Sequence, residues 1–516
     1  MQAAVANGGS LRRVVAIGAL IVAMLAAGTL GGAGPVGAAG SRPSPGSAGI
    51  GDGYFPWYGN GGYDVAHYGL RLNYQPATDR LQGVATIRAT ATHYLTQFNL
   101  DFVGLTVRSV TVDGVPAQWS RTDHELVITP AVRLSTNQSF EVVVTYDGVP
   151  VEFVVPDVPG LRMGWMATDD GVIVNGVPEV AASWFPVNDH PSDKAAYTFE
   201  VTVPSDVGVV ANGSLLSQSV ASGSATFVWD APDPMAPYLA TINVGEWDIR
   251  TWTTDSGIPV YDAVDPDLGT RADGPLSRQG DILDVLARFF GPYPFSTVGA
   301  IVDDEPDLIF ALETQTRPIY PRYVADFGDN LVVHELAHQW FGNHVGLAQW
   351  RDEWLSEGFA TYANWLWSEA EGSRTAQQFF DSIYASTPAN DPFWQVIVAD
   401  PGPGQLFHDA VYDRGAMALQ ALRREVGSRT FFYILRSWVS EQGGGNGSTQ
   451  EFIALAERLS RRELNPLFDA WIFSRGKPAI GASASSTGDA QPAVSGDQAS
   501  DPGRSATLHG HGFLRR

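Results

Sequence analysis

Cysteine is absent from the 516 residues of this chain. Its absence excludes disulfide bridges, thiolate metal sites and a cysteine nucleophile. Any metal ion bound by the protein must therefore be held by histidine, aspartate or glutamate side chains.

Basic residues are also scarce. The chain has 32 Lys and Arg against 56 Asp and Glu, a formal net charge of -24. Nucleic-acid binding needs a concentrated basic surface, so we expect no nucleic-acid partner, and an anionic membrane would repel the chain for the same reason. With 44% hydrophobic residues, a chain of this length is expected to form two or three globular domains.

Residues 1–39 predict a secretory signal peptide. Arg12 and Arg13 precede an apolar stretch that runs from Val14 to about Leu30, and small residues follow it. We therefore expect secretion, with no membrane association after signal cleavage. An uncleaved membrane anchor is the alternative, because the apolar stretch is nearly long enough to span a bilayer.

Changes of pattern along the rest of the chain predict its domain organisation and an α+β fold. Residues 40–53 are rich in Gly, Ser and Pro, which is typical of a linker. Strand patterns and turn signals alternate over residues 54–247 and predict a β-sandwich or large open sheet. Helical periodicity dominates residues 248–478. Residues 479–516 have few bulky apolar groups, so we expect a disordered tail.

Three local patterns make sharper predictions. Apolar residues at every second position over 68–74 predict a strand with one buried face. Asp113-Gly114 after a β-rich run predicts a hairpin turn. Ser448 and Glu451 have the spacing of a capping box, which predicts the start of a helix.

A helical segment carries His334, Glu335 and His338 in the pattern H-E-x-x-H. Positions i and i+4 lie on one face of a helix, so the two imidazoles can bind the same ion, with Glu335 beside the open coordination position. A second helical segment supplies Glu357, and eighteen residues separate it from His338. Two imidazoles and one carboxylate with a position left for water are typical of catalytic zinc, so we predict one Zn²⁺ per chain.

Asp352 lies just before the helical segment that carries Glu357. Its carboxylate is expected either to cap that helix or to orient a histidine ligand through the second ring nitrogen. The residues alone leave both roles open.

These motifs resemble those of the aminopeptidase N family of gluzincin zinc metallopeptidases. The matching segments are 334–343 and 354–359, and the resemblance covers about residues 54–478. It implies a β-rich N-terminal domain followed by a thermolysin-like, mainly helical catalytic domain that removes the N-terminal residue of peptides. It also implies that the chain ends without the large helical C-terminal domain common in the family, so we expect a more open cleft.

The resemblance further implies roles for individual residues. Residues 311–314 stand in place of the edge strand that binds substrate. We accordingly expect Ala311 to contact the substrate backbone and Glu313 to hold its free amine. Glu335 is expected to activate the water, and Tyr412 to stabilise the transition state.

The position of a second amine-binding residue departs from the family pattern. The family has Glu or Gln nine residues before the proline matched by Pro186, and this chain has Val177 there. The nearby Glu179 is the candidate for that role. Without strict recognition of a free amine, the site would belong to a zinc endopeptidase or another zinc hydrolase, which is the alternative prediction. A binding protein without activity is a further alternative, although the residues needed for hydrolysis are all present.

Overall fold

Strands dominate the first half of the chain in a computed structural model, which describes residues 43–122, 124–154, 162–178 and 180–480. The largest sheet has eight strands, which are, in spatial order, β15 (Ser214–Ala221), β16 (Ser224–Met235), β13 (Ala195–Pro204), β2 (Tyr63–Gln75), β3 (Arg80–Ala91), β9 (Ser139–Gly148), β5 (Thr106–Val112) and β6 (Val115–Pro116).

The predicted alternation of β2 is confirmed. Tyr68, Leu70, Leu72 and Tyr74 are buried on one face of the strand, as expected for a sheet that covers a core on one side. The predicted hairpin joins β5 to β6 through residues 113–114, whose φ angles of 50° and 75° suit a two-residue turn.

Two smaller sheets pack in the same half of the chain. The four-stranded sheet consists of β1 (Ser44–Pro45), β4 (Leu95–Asp101), β8 (Glu125–Thr129) and β7 (Gln118–Arg121). The five-stranded sheet consists of β10 (Glu152–Val154), β11 (Arg162–Ala167), β12 (Val172–Asn175), β17 (Ile242–Gly245) and β14 (Gly208–Ala211).

The segment predicted to be a linker makes specific contacts where the structure describes it, from residue 43 onward. Ser44–Pro45 pairs with β4. The buried carboxylate of Asp52 accepts a hydrogen bond from the backbone N–H of Trp350 (3.0 Å) and contacts Nε2 of His190 (3.3 Å). This end of the segment therefore joins the strand-rich half to the helical half.

The helical half begins with another four-stranded sheet. Its strands are β18 (Asp248–Thr253), β19 (Pro259–Val264), β20 (Val298–Asp303) and β21 (Ile319–Pro321). The α-helices of the described residues are α1 (Asp273–Leu276), α2 (Gln279–Phe290), α3 (Asp329–His338), α4 (Trp354–Ala370), α5 (Ala376–Ser386), α6 (Gly415–Val426), α7 (Ser428–Gln442), α8 (Thr449–Ser460) and α9 (Asn465–Phe468). The predicted capping box of Ser448 and Glu451 is confirmed at the start of α8.

Shorter elements complete the helical half. Two π-helical segments are Ala410–Arg414 and Asp469–Phe473, and a two-stranded parallel ladder joins β22 (Gly346–Leu347) to β23 (Asn446–Gly447). The 3-10 helices of the described residues are Pro76–Thr78, Ala181–Ser183, Pro237–Leu239, Pro266–Leu268, Val324–Phe327, Trp350–Asp352, Pro392–Gln395 and Pro403–Gln405.

Helix α4 crosses the start of α6 at two glycines. A Cβ atom added to Gly358 would lie 3.1 Å from Cα of Gly415, and one added to Gly415 would lie 3.0 Å from Cα of Gly358. Both distances are shorter than ordinary van der Waals contact, so the two backbones touch. Only glycine permits this approach without moving a helix.

A partly buried lysine links the two halves beside α3. Nζ of Lys194 donates hydrogen bonds to the carbonyl oxygens of Asn343 (2.8 Å), His344 (3.0 Å) and Gly445 (3.2 Å). Burial lowers the pKa of Lys194 to about 7. Its three carbonyl partners fix the loop that follows α3 to the start of β13.

A strand-rich N-terminal half followed by a helical half confirms the predicted α+β fold class. Within the part of the chain that the structure describes, every helix is too short or too polar to cross a membrane. The predicted signal peptide lies outside the described residues, as does the predicted tail beyond residue 480.

Candidate functional site

Helix α3 brings the H-E-x-x-H residues into the protein interior. His334, Glu335 and His338 are all buried. The imidazole rings of His334 and His338 lie one helical turn apart, with centroids separated by 4.8 Å. The predicted convergence of the two histidines is present.

Glu357 comes from the first turn of α4 and faces both imidazoles. Its Oε2 lies 3.0 Å from Nε2 of His334 and 3.4 Å from Nε2 of His338. One ligand atom from each of the three residues lies within 4.8 Å of the others, a spacing that one metal ion can bridge. Two imidazole nitrogens and a carboxylate oxygen form the donor set of catalytic zinc.

The second ring nitrogen of His338, Nδ1, has hydrogen-bond partners of its own. Its Nδ1 lies 2.9 Å from Oγ of Ser356 and 3.1 Å from the carbonyl oxygen of Phe341. A partner on the far side of the ring fixes its orientation, as is usual for histidine ligands of metals. Sequence analysis did not identify Ser356 for this position.

Neither role predicted for Asp352 is found. Oδ1 of Asp352 accepts hydrogen bonds from the backbone N–H (3.0 Å) and hydroxyl (2.7 Å) of Thr449, at the start of α8. The residue that precedes α4 is Glu353, and its side chain makes no capping hydrogen bond. Asp352 bonds Thr449 because a buried carboxylate needs hydrogen-bond donors, and Thr449 supplies two.

The charges of the site favour a cation at its centre. Burial raises the pKa of Glu335 well above its usual range, and the Glu313 and Glu357 carboxylates add to this effect, while His338 opposes it. Burial alone would lower the pKa of His338, but Glu357, Glu313 and Glu335 raise it to about 10. No described residue donates a hydrogen bond to the Glu335 carboxylate. A divalent metal ion fits this surplus of buried negative charge.

Glu313 lies on a short extended segment beside β21. Leu312 exchanges both backbone hydrogen bonds with Ile319, so the neighbouring peptide groups of Ala311 and Glu313 point away from that strand. The carbonyl oxygen of Glu313 accepts from Nδ2 of Asn343 (2.7 Å). This bond ties the segment to the loop that follows α3. No described residue forms a hydrogen bond with the backbone of Ala311.

The Glu313 carboxylate faces the same space as the metal-binding residues. Its Oε1 accepts a hydrogen bond from the hydroxyl of Tyr238 (3.1 Å), whereas Oε2 has no hydrogen-bond donor among the described residues. Ligand atoms of Glu313, Glu335 and His338 lie within 4.8 Å of one another. The structure therefore brings Glu313 next to Glu335.

Tyr412 lies in the π-helical segment Ala410–Arg414. Its hydroxyl donates a hydrogen bond to Oε1 of Glu357 (3.0 Å), and its ring stacks on that of His334 at 6.1 Å between centroids. The guanidinium of Arg414 holds the segment by donating to four backbone carbonyls, those of Trp394, Val396, Ala470 and Ser474. An irregular turn of this kind is common at functional sites.

Glu179, the candidate second amine anchor, lies outside the described residues. Val177, which occupies the position expected from the family pattern, is a buried apolar side chain.

Glu353 is a site residue that sequence analysis missed. The backbone N–H of Glu357 donates to the carbonyl oxygen of Glu353, so the two glutamates lie one helical turn apart. Their i, i+4 spacing is the signal that would have found it. Tyr238 was missed because its contact with Glu313 joins distant parts of the chain.

Comparisons with known proteins agree with this geometry. Residues 65–239 match the family model described as the peptidase M1 N-terminal domain, and residues 324–471 match that of the peptidase family M1 domain.

Curated relatives are plant and animal aminopeptidases. Aminopeptidase M1-D of Oryza sativa subsp. japonica is 27% identical over 326 residues, which are 58% of this chain and 36% of that protein. Glutamyl aminopeptidase of Homo sapiens is 23% identical over 329 residues, which are 59% of this chain and 34% of that protein. The chain spans about a third of the length of the curated relatives it matches.

Solved structures match over more of the chain. One is a two-domain M1 zinc metallopeptidase mutant bound to L-arginine, with a TM-score of 0.76 and 30% identity, covering 84% of this chain and 99% of that chain. Another is an M1 zinc metallopeptidase mutant from Deinococcus radiodurans bound to a Tyr-Ser-Ala substrate, with a TM-score of 0.76 and 30% identity, covering 84% and 98%. With this fold and this set of buried ligands, the chain belongs to the M1 family of zinc metallopeptidases, and zinc is its cofactor.

Proposed function

We propose that this chain is a zinc-dependent aminopeptidase that removes the first residue from peptides. The observation that carries the proposal is the position of Glu313, whose carboxylate lies within 4.8 Å of ligand atoms of Glu335 and His338. A free amine bound there is placed beside the residues that surround the metal. A site with this anchor selects chain ends over internal peptide bonds.

His334, His338 and Glu357 are the proposed zinc ligands. When bound, zinc supplies a water of lowered pKa and polarises the scissile carbonyl. Glu335 takes a proton from the attacking water and passes it to the leaving nitrogen. Its burial without a described hydrogen-bond donor suits this role, because its raised pKa makes the carboxylate a stronger base.

Tyr412 is the proposed donor to the oxyanion of the tetrahedral intermediate. Its hydroxyl donates a hydrogen bond to Oε1 of Glu357 (3.0 Å), which places it beside the proposed metal ligands. Burial raises the pKa of Tyr412 well above its usual range, with Glu357 and Glu353 adding to the effect, so the phenol stays protonated and able to donate.

Substrate alignment rests on the segment beside β21. Oε2 of Glu313 is available to a substrate ammonium, while Tyr238 holds Oε1 in place. We assign the free backbone edge at Ala311 to the substrate main chain, which would add to the sheet as an extended strand.

The relatives support peptide substrates with a free N-terminus. The curated relatives are named aminopeptidases, and the two-domain relatives are described as bound to L-arginine and to a Tyr-Ser-Ala substrate. We extend that substrate class to this chain. The pattern of residues 1–39 further supports export from the cell, so we place the activity outside it. We also retain the predicted domain division, with residues 54–247 as the N-terminal domain and 248–478 as the catalytic domain.

The test compares aminoacyl-arylamides with their N-acetylated forms, using protein loaded with zinc and protein stripped by a chelator. We expect zinc-dependent cleavage of the free amines and much slower cleavage of the acetylated forms. Equal rates on both would instead identify a zinc endopeptidase or another zinc hydrolase.

A further inference from the structure

Glu353 is a buried acid with no partner of its own. Its side chain is 4% exposed, and no described residue donates a hydrogen bond to its carboxylate, of which Oε2 is fully enclosed. Natural proteins rarely leave such a group unsatisfied, because a buried carboxylate needs hydrogen bonds or a cation. Its enclosure beside the active site indicates that the partner is a ligand.

The charged groups around Glu353 belong to the active site. They are the carboxylates of Glu357, Glu313 and Asp352 and the imidazole of His338, whose charges all act on Glu353. The phenols of Tyr238 and Tyr412 also respond to its charge. Glu353 therefore lies close enough to the Glu313–Tyr238 pair and to the Glu357–Tyr412 pair for its charge to act on both. No lysine or arginine is among these neighbours.

One positive charge does not satisfy all these acids. Glu357 belongs to the proposed metal site, where its Oε2 lies beside the two histidines. Glu313 has one open oxygen, which suits the α-ammonium of a substrate. After that ammonium is bound, Glu353 still lacks a cation. A second positive group on the first residue of the substrate, in its side chain, would supply the cation that Glu353 lacks.

We propose that Glu353 is a specificity-determining residue, and that the subsite for the first residue prefers a basic side chain, that of lysine or arginine. This inference rests on the proposed aminopeptidase function. A first residue without charge would leave the Glu353 carboxylate without a partner and would be bound less well. Binding of the α-ammonium by both glutamates is the competing arrangement, and the experiment separates the two.

The experiment compares side chains of equal length with and without charge. Lysyl and norleucyl arylamides form one pair, and arginyl and citrullyl arylamides form the other. For the unmodified protein we expect kcat/KM to favour the charged member by roughly tenfold or more, the effect of one charge-assisted hydrogen bond. No preference for the charged members would overturn the proposal without any variant being made.

Glu353→Gln then removes the charge while keeping the shape. We expect the lysyl-to-norleucyl ratio to fall by roughly tenfold, with norleucyl cleavage changed little. The matched control is Glu371→Gln, a half-exposed glutamate just beyond the other end of α4, which should leave the ratio as it is. An equal loss on both substrates, or a smaller gap between free and acetylated substrates, would assign Glu353 to the α-ammonium and reject the proposal.

A binding measurement tests the subsite independently of the proposed aminopeptidase activity. Calorimetric titration of the zinc-loaded protein with free lysine and with norleucine needs no turnover. Tighter binding of lysine, lost in Glu353→Gln, supports the subsite even if arylamides are cleaved without a free-amine requirement. Equal binding of the two amino acids rejects it even if the aminopeptidase activity is established.

Discussion

Tyr412 donates a hydrogen bond to Oε1 of Glu357, while Oε2 of the same carboxylate faces His334 and His338. One carboxylate therefore joins the proposed oxyanion donor to the proposed metal ligands. The two functions share a residue but use different oxygen atoms. Substitutions of Tyr412 should accordingly separate turnover from metal binding.

Tyr412→Phe tests this separation. Loss of the hydroxyl removes one donor to the oxyanion, so we expect turnover to fall by roughly two orders of magnitude, with a much smaller change in KM. Zinc content, measured by atomic emission, should be unchanged because Oε2 of Glu357 is untouched. Tyr433→Phe, at an exposed tyrosine, is the control. A variant with altered KM and normal turnover would make Tyr412 a binding residue.

Glu335→Gln tests the proposed base. The amide keeps the shape of the side chain but cannot accept the proton, so we expect zinc to be retained and most activity to be lost. Chelation of zinc should abolish the activity of the unmodified protein, and added zinc should restore it. Glu425→Gln, at a half-exposed glutamate, is the matched control. Full activity in Glu335→Gln would require another base.

Glu313→Gln tests recognition of the free amine. A charged hydrogen bond contributes about 1.5 to 3 kcal/mol, so acetylation of the substrate should slow cleavage by the unmodified protein roughly tenfold to a hundredfold. In the variant we expect a smaller ratio of the cleavage rate of free substrates to that of acetylated substrates. Glu179→Ala tests the other candidate anchor, since a further loss confined to free amines would identify it as a partner of Glu313. An unchanged ratio in Glu313→Gln would assign the amine to another group.

Lys194→Met tests the link between the two halves of the chain. The substitution removes the ammonium donor from three carbonyls, and that of Asn343 is then left without a described donor, whereas those of His344 and Gly445 still accept from backbone N–H groups. One unsatisfied buried group costs about 1 to 3 kcal/mol before relaxation, so we expect a fall in Tm by calorimetry. Arg429→Met, at an exposed position, should change Tm little. An equal Tm in both variants would mean that water replaces the ammonium.

The parts of the site that were predictable are local in sequence. His334 and His338 could be paired because helical spacing alone puts them on one face. The hairpin turn and the capping box were predictable for the same reason, since each is set by neighbouring residues.

Contacts between distant segments were not predictable in this way. The bond from Tyr238 to Glu313 and the bonds from Thr449 to Asp352 depend on how separate elements pack. The contacts of residues 43–53 could not be predicted from composition either. This segment is rich in Gly and Pro, yet the carboxylate of Asp52 accepts a hydrogen bond from the backbone of Trp350. In each case the partner was decided by tertiary structure.

The contact between Gly358 and Gly415 sets the distance between the backbone segments that carry Glu357 and Tyr412. Gly358 follows Glu357, and Gly415 comes three residues after Tyr412, so the touching backbones fix how far apart these two side chains begin. A spacing made by main-chain atoms does not vary with side-chain rotamers. Repacking of the surrounding core can therefore change the distance between the backbones at Tyr412 and Glu357 only by displacing a whole helix.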